Sequence, residues 1–119
     1  MAITEAIENY LETIYILSSQ KSDIHAADIC AHLGYSRPTV SVVVKNLKSD
    51  GFITVDEENH ITLTPKGLKI AKNMYERHKI IAKMLVSIGV SEETALSDAC
   101  KIEHDISDET FMCIKKKFM

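Results

Sequence analysis

The first twenty residues carry apolar side chains at the spacing of one face of a helix. A stripe that recurs every three or four residues is typical of an amphipathic helix that buries one side. The stripe consists of Ile3, Ile7, Leu11, Ile14 and Leu17. The opposite side carries Glu5, Glu8, Asn9 and Glu12. The pattern predicts a helix over Thr4 to Gln20, followed by a polar loop.

Two shorter helical patterns follow, separated by a glycine. Ala26 to Leu33 is apolar on one side and ends at Gly34, a residue type that often closes helices. Ser36 is a good capping residue and Pro38 suits a first helical turn, so the next helix begins there. Its inward stripe is Val40, Val43, Val44 and Leu47, and its outward side carries Ser41, Lys45 and Lys48. A second helix that is basic on its free side favours a helix-turn-helix, with a plain helical hairpin as the alternative.

A β-hairpin is predicted directly after these helices. Asp50 and Gly51 end the helix, and Phe52 to Val55 and His60 to Leu63 read as two short strands around an acidic turn. A hairpin at this place is the wing of a winged helix, which strengthens the DNA-binding interpretation. Because phosphates repel carboxylates, we expect the turn Asp56 to Asn59 to lie away from the DNA backbone or to add little affinity.

The second half of the chain reads as helical throughout. Thr64 and Pro65 begin a long helix that reaches about Ile88 and ends at Gly89. Its apolar set is too wide for one buried stripe, so its second half is expected to pack against a partner subunit. The set is Ile70, Met74, Ile81, Met84, Leu85 and Ile88. Further helices begin after the caps Ser91 and Ser107. The predicted fold class is mainly α, with a winged helix-turn-helix over residues 1–64 and an all-helical dimerisation domain over residues 65–119.

Composition is ordinary for a globular chain, but charge is unevenly distributed. The 119 residues are 45% hydrophobic and 26% charged, and no apolar run is long enough to cross a membrane. The N-terminus lacks the pattern of a secretory signal, and three separated cysteines fit a reducing cytoplasm. Net charge is −3, yet residues 34–49 contain three cations and no acid. Residues 91–109 contain seven acids and one base, so this segment is expected to attract cations instead.

The strongest chemical signal lies in that acidic segment, at Cys100-x-x-Glu103-His104. On a continuous helix these three side chains fall within an arc of about 100°. Thiolate, carboxylate and imidazole are all ligands of transition metals. A lone triplet of this kind arises by chance, but here it accompanies a DNA-binding half. The combination indicates a metal-sensing regulator rather than an enzyme.

With these features in place, the chain resembles the diphtheria-toxin-repressor family of metal-dependent transcriptional regulators over essentially its whole length. The most specific matching segments are Asn9 to Tyr15, Ser36 to Ser41, Thr64 to Gly67, Arg77-His78 and Asp98 to His104. The resemblance implies a cytoplasmic homodimer that represses metal-uptake genes by binding double-stranded operator DNA when a divalent ion is loaded. Because the chain stops at Met119, the SH3-like domain of longer iron-responsive members is expected to be absent.

The resemblance also implies a set of functional residues. The implied metal ligands are Asn9, Glu12, His78, Cys100, Glu103 and His104. The implied recognition helix extends from Ser36 to Ser49, and its DNA-contacting residues are Ser36, Arg37, Pro38, Thr39, Ser41, Val42, Lys45 and Lys48. Lysines are interpreted as phosphate contacts and hydroxyl residues as groove contacts. Arg37 would reach a guanine edge or a phosphate, and Val42 a thymine methyl.

Departures from the family pattern bear on the metal. The manganese branch has carboxylates where Asn9 and Cys100 stand, and the iron branch has a methionine in place of Asn9. A second site of the iron branch would need a carboxylate and an imidazole where Ala82 and Leu96 stand. A soft thiolate and a neutral amide together favour Fe(II), with Mn(II) next. Asn9 is equally compatible with a role in local hydrogen bonding.

Other interpretations remain open at this stage. A winged-helix regulator that responds to thiol oxidation at Cys100, or to an organic ligand, fits the same sequence. A small metalloenzyme is a remote alternative, because no second motif supplies a nucleophile–base pair. Among the remaining candidates, His25 and His32 are expected to face solvent, His60 is expected to have a surface role rather than bind metal, and Cys30 is expected in the core.

Overall fold

The computed structural model describes residues 4–118, which divide into two compact units. The first extends to Lys72 and the second begins at Asn73, so the boundary lies within the longest helix. Within the described residues the elements, in chain order, are α1 (Glu5–Gln20), α2 (Ala26–Leu33), α3 (Arg37–Ser49), β1 (Ile53–Val55), β2 (Ile61–Leu63), α4 (Pro65–Ser87), α5 (Glu92–Ile102) and α6 (Asp108–Phe118). The predicted fold class, mainly α with an N-terminal winged helix-turn-helix, is confirmed.

Helix α1 is amphipathic as predicted. The hydroxyl of Thr4 caps it by accepting a hydrogen bond from the Ile7 amide at 3.3 Å. Ile7, Leu11, Ile14 and Leu17 of the predicted stripe are buried, and Tyr10 joins them. Ile3, the first member of the predicted stripe, lies outside the described residues. Glu12 and Thr13 are also buried, although their polar character places them on the solvated side in a pattern based on hydrophobicity alone.

The helix-turn-helix is closed by the local chemistry that its sequence predicts. Gly34 ends α2 in the left-handed conformation, with φ of 75°, and its amide donates to the Cys30 carbonyl at 2.8 Å. The Ser36 hydroxyl caps α3 by accepting from the Thr39 amide. Val40 and Leu47 of α3 are fully buried in the core of the first unit. The outward face of α3 is therefore left available for a ligand.

Strands β1 and β2 form an antiparallel pair in the register Ile53↔Leu63 and Val55↔Ile61. Each is one residue shorter than predicted, because Phe52 and His60 fall outside the ladder. The Phe52 amide donates to the Leu47 carbonyl at 3.0 Å, so this residue closes α3 and buries its ring in the core. The Ile61 amide donates to the Ile24 carbonyl at 2.7 Å, which ties the wing to the segment before α2.

The start of α4 is fastened to the start of the wing. The Thr64 hydroxyl donates to the Gly51 carbonyl at 2.7 Å and accepts from the Gly67 amide at 3.2 Å. Its main-chain amide donates to the Phe52 carbonyl at 3.1 Å. Gly67 lies directly over that same carbonyl, and a Cβ built on it would be 2.1 Å from the Phe52 oxygen. The motif Thr64-Pro65-Lys66-Gly67 therefore contains a capping residue, Thr64, and a glycine that is required because the α4 backbone lies against the Phe52 carbonyl.

The second unit has its own apolar cluster. Ile81, Ala82 and Ala99 are buried there. Met84, Leu85, Ile102 and Ile106 pack against them. The Ser91 hydroxyl caps α5 by accepting from the Thr94 amide, and Ser107 caps α6 by accepting from the Thr110 amide. Both caps agree with the sequence prediction.

The end of α5 differs from the prediction. The helix stops at Ile102, Glu103 serves as its C-terminal cap, and residues 103–105 form a turn. The continuous helix that was expected to carry Cys100, Glu103 and His104 therefore ends before Glu103. Cys100 is exposed on α5, whereas Glu103 is completely buried beyond its end.

Candidate metal centre and nucleic-acid interface

Three of the predicted metal ligands meet within the second unit. His78 comes from α4, and Glu103 and His104 come from the turn after α5. Nδ1 of His78 lies 3.0 Å from Oε2 of Glu103, and Nε2 of His104 lies 3.3 Å from Oε1 of the same carboxylate. The side chains of Glu103 and His104 are fully buried, and that of His78 is about four-fifths buried, with 22% exposed. One carboxylate is thus flanked by two imidazoles.

This arrangement fits a divalent cation. Oε1 of Glu103 is buried, and its 3.3 Å contact with Nε2 of His104 does not have hydrogen-bond geometry, so no group among residues 4–118 forms a hydrogen bond to it. A buried carboxylate costs several kcal/mol in desolvation unless it is paired, so an incompletely satisfied one requires an explanation. A divalent cation bound by these residues would supply the opposite charge, and carboxylate oxygen and imidazole nitrogen are both suitable ligands for Mn(II) and Fe(II).

The other predicted ligands are placed as follows. Asn9 and Glu12 lie on α1 in the first unit, three positions apart and therefore on the same side of that helix. Asn9 is half-buried and Glu12 is buried. Cys100 lies on α5 in the second unit and is exposed. Ala82 is buried and Leu96 is exposed, and neither carries a metal-binding group.

The residues predicted to contact DNA are all exposed. They form the N-terminal cap and outward face of α3. A groove of about 260 Å³ follows this face, and its α3 wall comprises Arg37, Ser41, Val44, Lys45 and Lys48. Val55 and Asn59 of the wing contribute the other side, together with His25. A basic helix beside a wing is the arrangement that a winged helix presents to a duplex.

The acidic turn of the wing has a structural role. The Asp56 carboxylate accepts hydrogen bonds from the amides of His60 at 2.8 Å and Glu58 at 2.9 Å. The bond from the His60 amide is the main reason why the pKa of Asp56 is lowered from its usual value. The His60 ring lies 3.2 Å from Asp56 through Nδ1 and packs edge-on against His25, with centroids 4.7 Å apart. His25 is half-buried, so the prediction that it faces solvent needs correction, whereas the His60 side chain is 25% exposed.

Two family models match the chain. Residues 2–61 match the family described as "Iron dependent repressor, N-terminal DNA binding domain". Residues 64–118 match "Iron dependent repressor, metal binding and dimerisation domain". The chain belongs to the iron dependent repressor family. The resemblance to the diphtheria-toxin-repressor family is thereby confirmed, as is the prediction that the chain is a regulator and not an enzyme.

Individual relatives of this family member carry the name MntR. It is 41% identical over 106 residues to the transcriptional regulator MntR of Salmonella typhimurium, a match covering 89% of this chain and 68% of the relative. It is 35% identical over 104 residues to the HTH-type transcriptional regulator MntR of Lysinibacillus sphaericus, covering 87% and 75% respectively. These relatives give no support to the preference for Fe(II) expected from Cys100.

Solved structures of family members share the fold. The manganese regulator SloR superposes with a TM-score of 0.81 at 28% identity, covering 98% of this chain and 54% of that one. The T. acidophilum IdeR superposes with a TM-score of 0.81 at 29% identity, covering 99% and 55%. The chain thus spans about half the length of these two solved structures. Within residues 4–118, no helix has the length and apolarity needed to cross a membrane.

Proposed function

We propose that this family member represses transcription of metal-uptake genes by binding operator DNA as a homodimer when a divalent ion, preferably Mn(II), is loaded. The observation that carries the proposal is the buried Glu103 carboxylate between His78 and His104, one oxygen of which accepts no hydrogen bond from the described residues. The DNA-binding part of the proposal is supported by the match of residues 2–61 to the DNA-binding domain of the family. The proposed division of labour assigns DNA binding to residues 1–64, and metal binding and dimerisation to residues 65–119.

The proposed ligand set keeps all six residues that the family pattern indicates. His78, Glu103 and His104 supply the core of the set, and Asn9, Glu12 and Cys100 are proposed to complete it. The buried groups of the second unit are a carboxylate and two imidazoles, which suit Mn(II) as well as Fe(II). The thiol, on which an Fe(II) preference depends, belongs to an exposed residue. Together with the names of the relatives, these observations favour Mn(II) as the first choice and Fe(II) as the second.

The proposed switch is a cation that links the two functional halves. Asn9 and Glu12 would come from the DNA-binding half and the remaining ligands from the other. A cation neutralises the carboxylates and so favours the arrangement in which all donors are engaged. In a dimer, that arrangement would hold two recognition helices about 34–36 Å apart, the spacing of successive major grooves. A coupling of about 1–3 kcal/mol changes DNA affinity about 5–150-fold.

Exposed apolar residues of the second unit support the dimer. Val86, Ile88 and Leu96 are 46%, 68% and 45% exposed. Val86 and Leu96 line a shallow groove with Ala82 and Ala95. Exposed apolar groups clustered in this way are typical of a protein–protein interface. We propose that a second copy of the chain covers them in a homodimer, and that the protein acts in the cytoplasm.

The function is tested by metal-dependent DNA binding. A duplex selected from a random-sequence library with the Mn(II)-loaded protein serves as the probe, and affinity is followed by fluorescence anisotropy under anaerobic, reducing conditions. We expect chelator-treated protein to bind about 5–150-fold more weakly than protein titrated with Mn(II). Parallel titrations with Fe(II), Co(II) and Zn(II) rank the ions, and sedimentation should give a dimer. Equal affinity with and without metal contradicts the proposal, and a response to peroxide instead of metal supports a thiol sensor at Cys100.

Lys45 provides a separate test of the DNA interface. Its side chain lines the groove beside the wing, and a lysine–phosphate contact releases condensed counterions from DNA. Lys45→Ala should therefore weaken binding to all sequences about equally and reduce the slope of log affinity against log salt by about 0.9. The matched control is Lys69→Ala, an exposed lysine on α4. An unchanged salt slope in the Lys45 variant rules out the phosphate contact.

A further inference from the structure

Arg77 is a buried guanidinium in the second unit, and its contacts converge on the turn that carries two of the proposed metal ligands. The residue is 4% exposed. Its Nη1 donates to the main-chain carbonyl of Glu103 at 3.2 Å and to that of Ile106 at 2.9 Å. Its Nη2 forms an ion pair with the carboxylate of Asp108. The guanidinium also packs against the Phe111 ring, 5.1 Å from its centroid.

These contacts supply donors to carbonyls that lie beyond the end of α5, where a helix leaves its last carbonyls without a partner of its own. The amides of the turn are paired separately: that of Glu103 donates to the Ala99 carbonyl at 2.9 Å, and that of Asp105 to the Ile102 carbonyl at 3.0 Å. Arg77 bonds the carbonyls at both ends of the segment 103–106, and His104 lies between those two points. A planar guanidinium provides several donors in a fixed geometry, which a lysine does not. The conformation of this segment therefore depends on a side chain 26 residues upstream.

Arg77 and His78 contact Glu103 by two different routes. They are consecutive on α4, and their side chains leave the helix about 100° apart. His78 faces the Glu103 carboxylate, whereas Arg77 binds the Glu103 main chain. Two consecutive residues of α4 thus contact both the carboxylate and the main-chain carbonyl of Glu103.

We propose that Arg77 is a positioning residue of the metal centre, which holds the turn 103–106 so that Glu103 and His104 present their donor atoms before the ion arrives. This inference rests on the proposed function. Residues that orient metal ligands typically change metal affinity about 10–100-fold when they are replaced. Arg77 binds the main chain of Glu103 and of Ile106, on either side of His104, so its effect should extend to both Glu103 and His104.

The test uses the full chain and the variant Arg77→Lys, which keeps the charge but loses the fork of donors. Mn(II) affinity, the Co(II) absorption spectrum and amide hydrogen exchange of residues 103–106 in the metal-free protein are measured against the parent. We expect about 10–100-fold weaker Mn(II) binding, an altered Co(II) spectrum and faster exchange in the turn. The matched control is Lys115→Ala, which removes another ion pair of the same unit, that with Glu76. This control should leave all three measurements unchanged.

The outcomes separate the inference from the proposed function. A parent protein that binds neither Mn(II) nor Co(II) overturns both. If the parent binds and Arg77→Lys binds with the same affinity and Co(II) spectrum, only the role of Arg77 is overturned, even if the melting temperature falls. Should Arg77→Lys fail to fold, Asp108→Asn tests the same inference. Asp108 is exposed and forms the ion pair with Nη2 of Arg77, so its replacement removes one contact that orients the guanidinium. Its Mn(II) affinity should fall several-fold, and parental affinity in that variant overturns the inference.

Discussion

Glu103→Gln should remove the response of DNA binding to metal while leaving the fold intact. Glutamine has nearly the same shape as glutamate and keeps an oxygen and an amide for His78 and His104, but it carries no charge. Removing one partner of a buried charge pair costs about 3–5 kcal/mol, so ion affinity should fall more than about 100-fold. The metal-free variant should be as stable as the parent or more so, because a buried carboxylate no longer has to be desolvated.

The measurement combines Mn(II) titration with DNA-binding curves and thermal unfolding of the metal-free protein. Glu93→Gln is the matched control, because Glu93 is an exposed acid in the first turn of α5 and its substitution makes the same change in net charge. That control should retain the metal response of the parent. If Glu103→Gln also keeps Mn(II) affinity within a few-fold of the parent, the buried carboxylate is not a metal ligand and the proposed centre is wrong.

Gly67→Ala should strongly destabilise the first unit. In an exposed helix the change normally stabilises by about 0.5–1 kcal/mol, because alanine loses less conformational entropy. Here the added Cβ would lie 2.1 Å from the Phe52 carbonyl oxygen, which cannot withdraw easily since it accepts the Thr64 amide. Forcing the helix and the wing apart should cost about 3 kcal/mol. For a unit of this size, that corresponds to a fall of about 10–20 °C in melting temperature.

A second glycine isolates the steric effect. Gly34 has φ of 75°, and a Cβ added to it would meet none of the described residues within 4 Å. Gly34→Ala therefore adds only the strain of a left-handed alanine, about 1–2 kcal/mol. Thermal or denaturant unfolding of both variants should rank Gly67→Ala as the less stable. A Gly67→Ala protein more stable than the parent would show that helix propensity dominates and that the close approach is not maintained in solution.

The local features of the fold were predictable because they depend on neighbouring residues. Ser36, Thr64 and Ser91 cap their helices as expected, since a cap is made within three residues of the chain. The two strands were also expected, but Phe52 leaves the ladder to close α3 and fill the core. Whether Phe52 pairs in the β ladder or buries its ring in the core depends on tertiary packing. The alternation of hydrophobic and polar residues in the sequence does not contain that information.

The candidate site was predictable in its residue types but not in its geometry. The acidic segment continues a helical pattern through His104, and nothing nearby marks Ile102 as the last helical residue. Arg77 binds two carbonyls of the segment after this helix from 26 and 29 residues away, a contact that no local pattern predicts. Cys100 consequently lies on the exposed surface while Glu103 is enclosed. The Fe(II) preference inferred from Cys100 and Asn9 together therefore rested in part on a continuous helix that ends at Ile102.

Acidic residues in the turn of a wing are commonly taken as evidence against nucleic-acid binding. The wing of this molecule shows why that criterion is misleading. The Asp56 carboxylate is occupied by two main-chain amides and an imidazole, all belonging to its own hairpin. Its Oδ1 accepts the two amides that hold the short turn between β1 and β2. Surveys of unassigned regulators that score wings by lysine and arginine content would therefore discard members whose loops are built in this way.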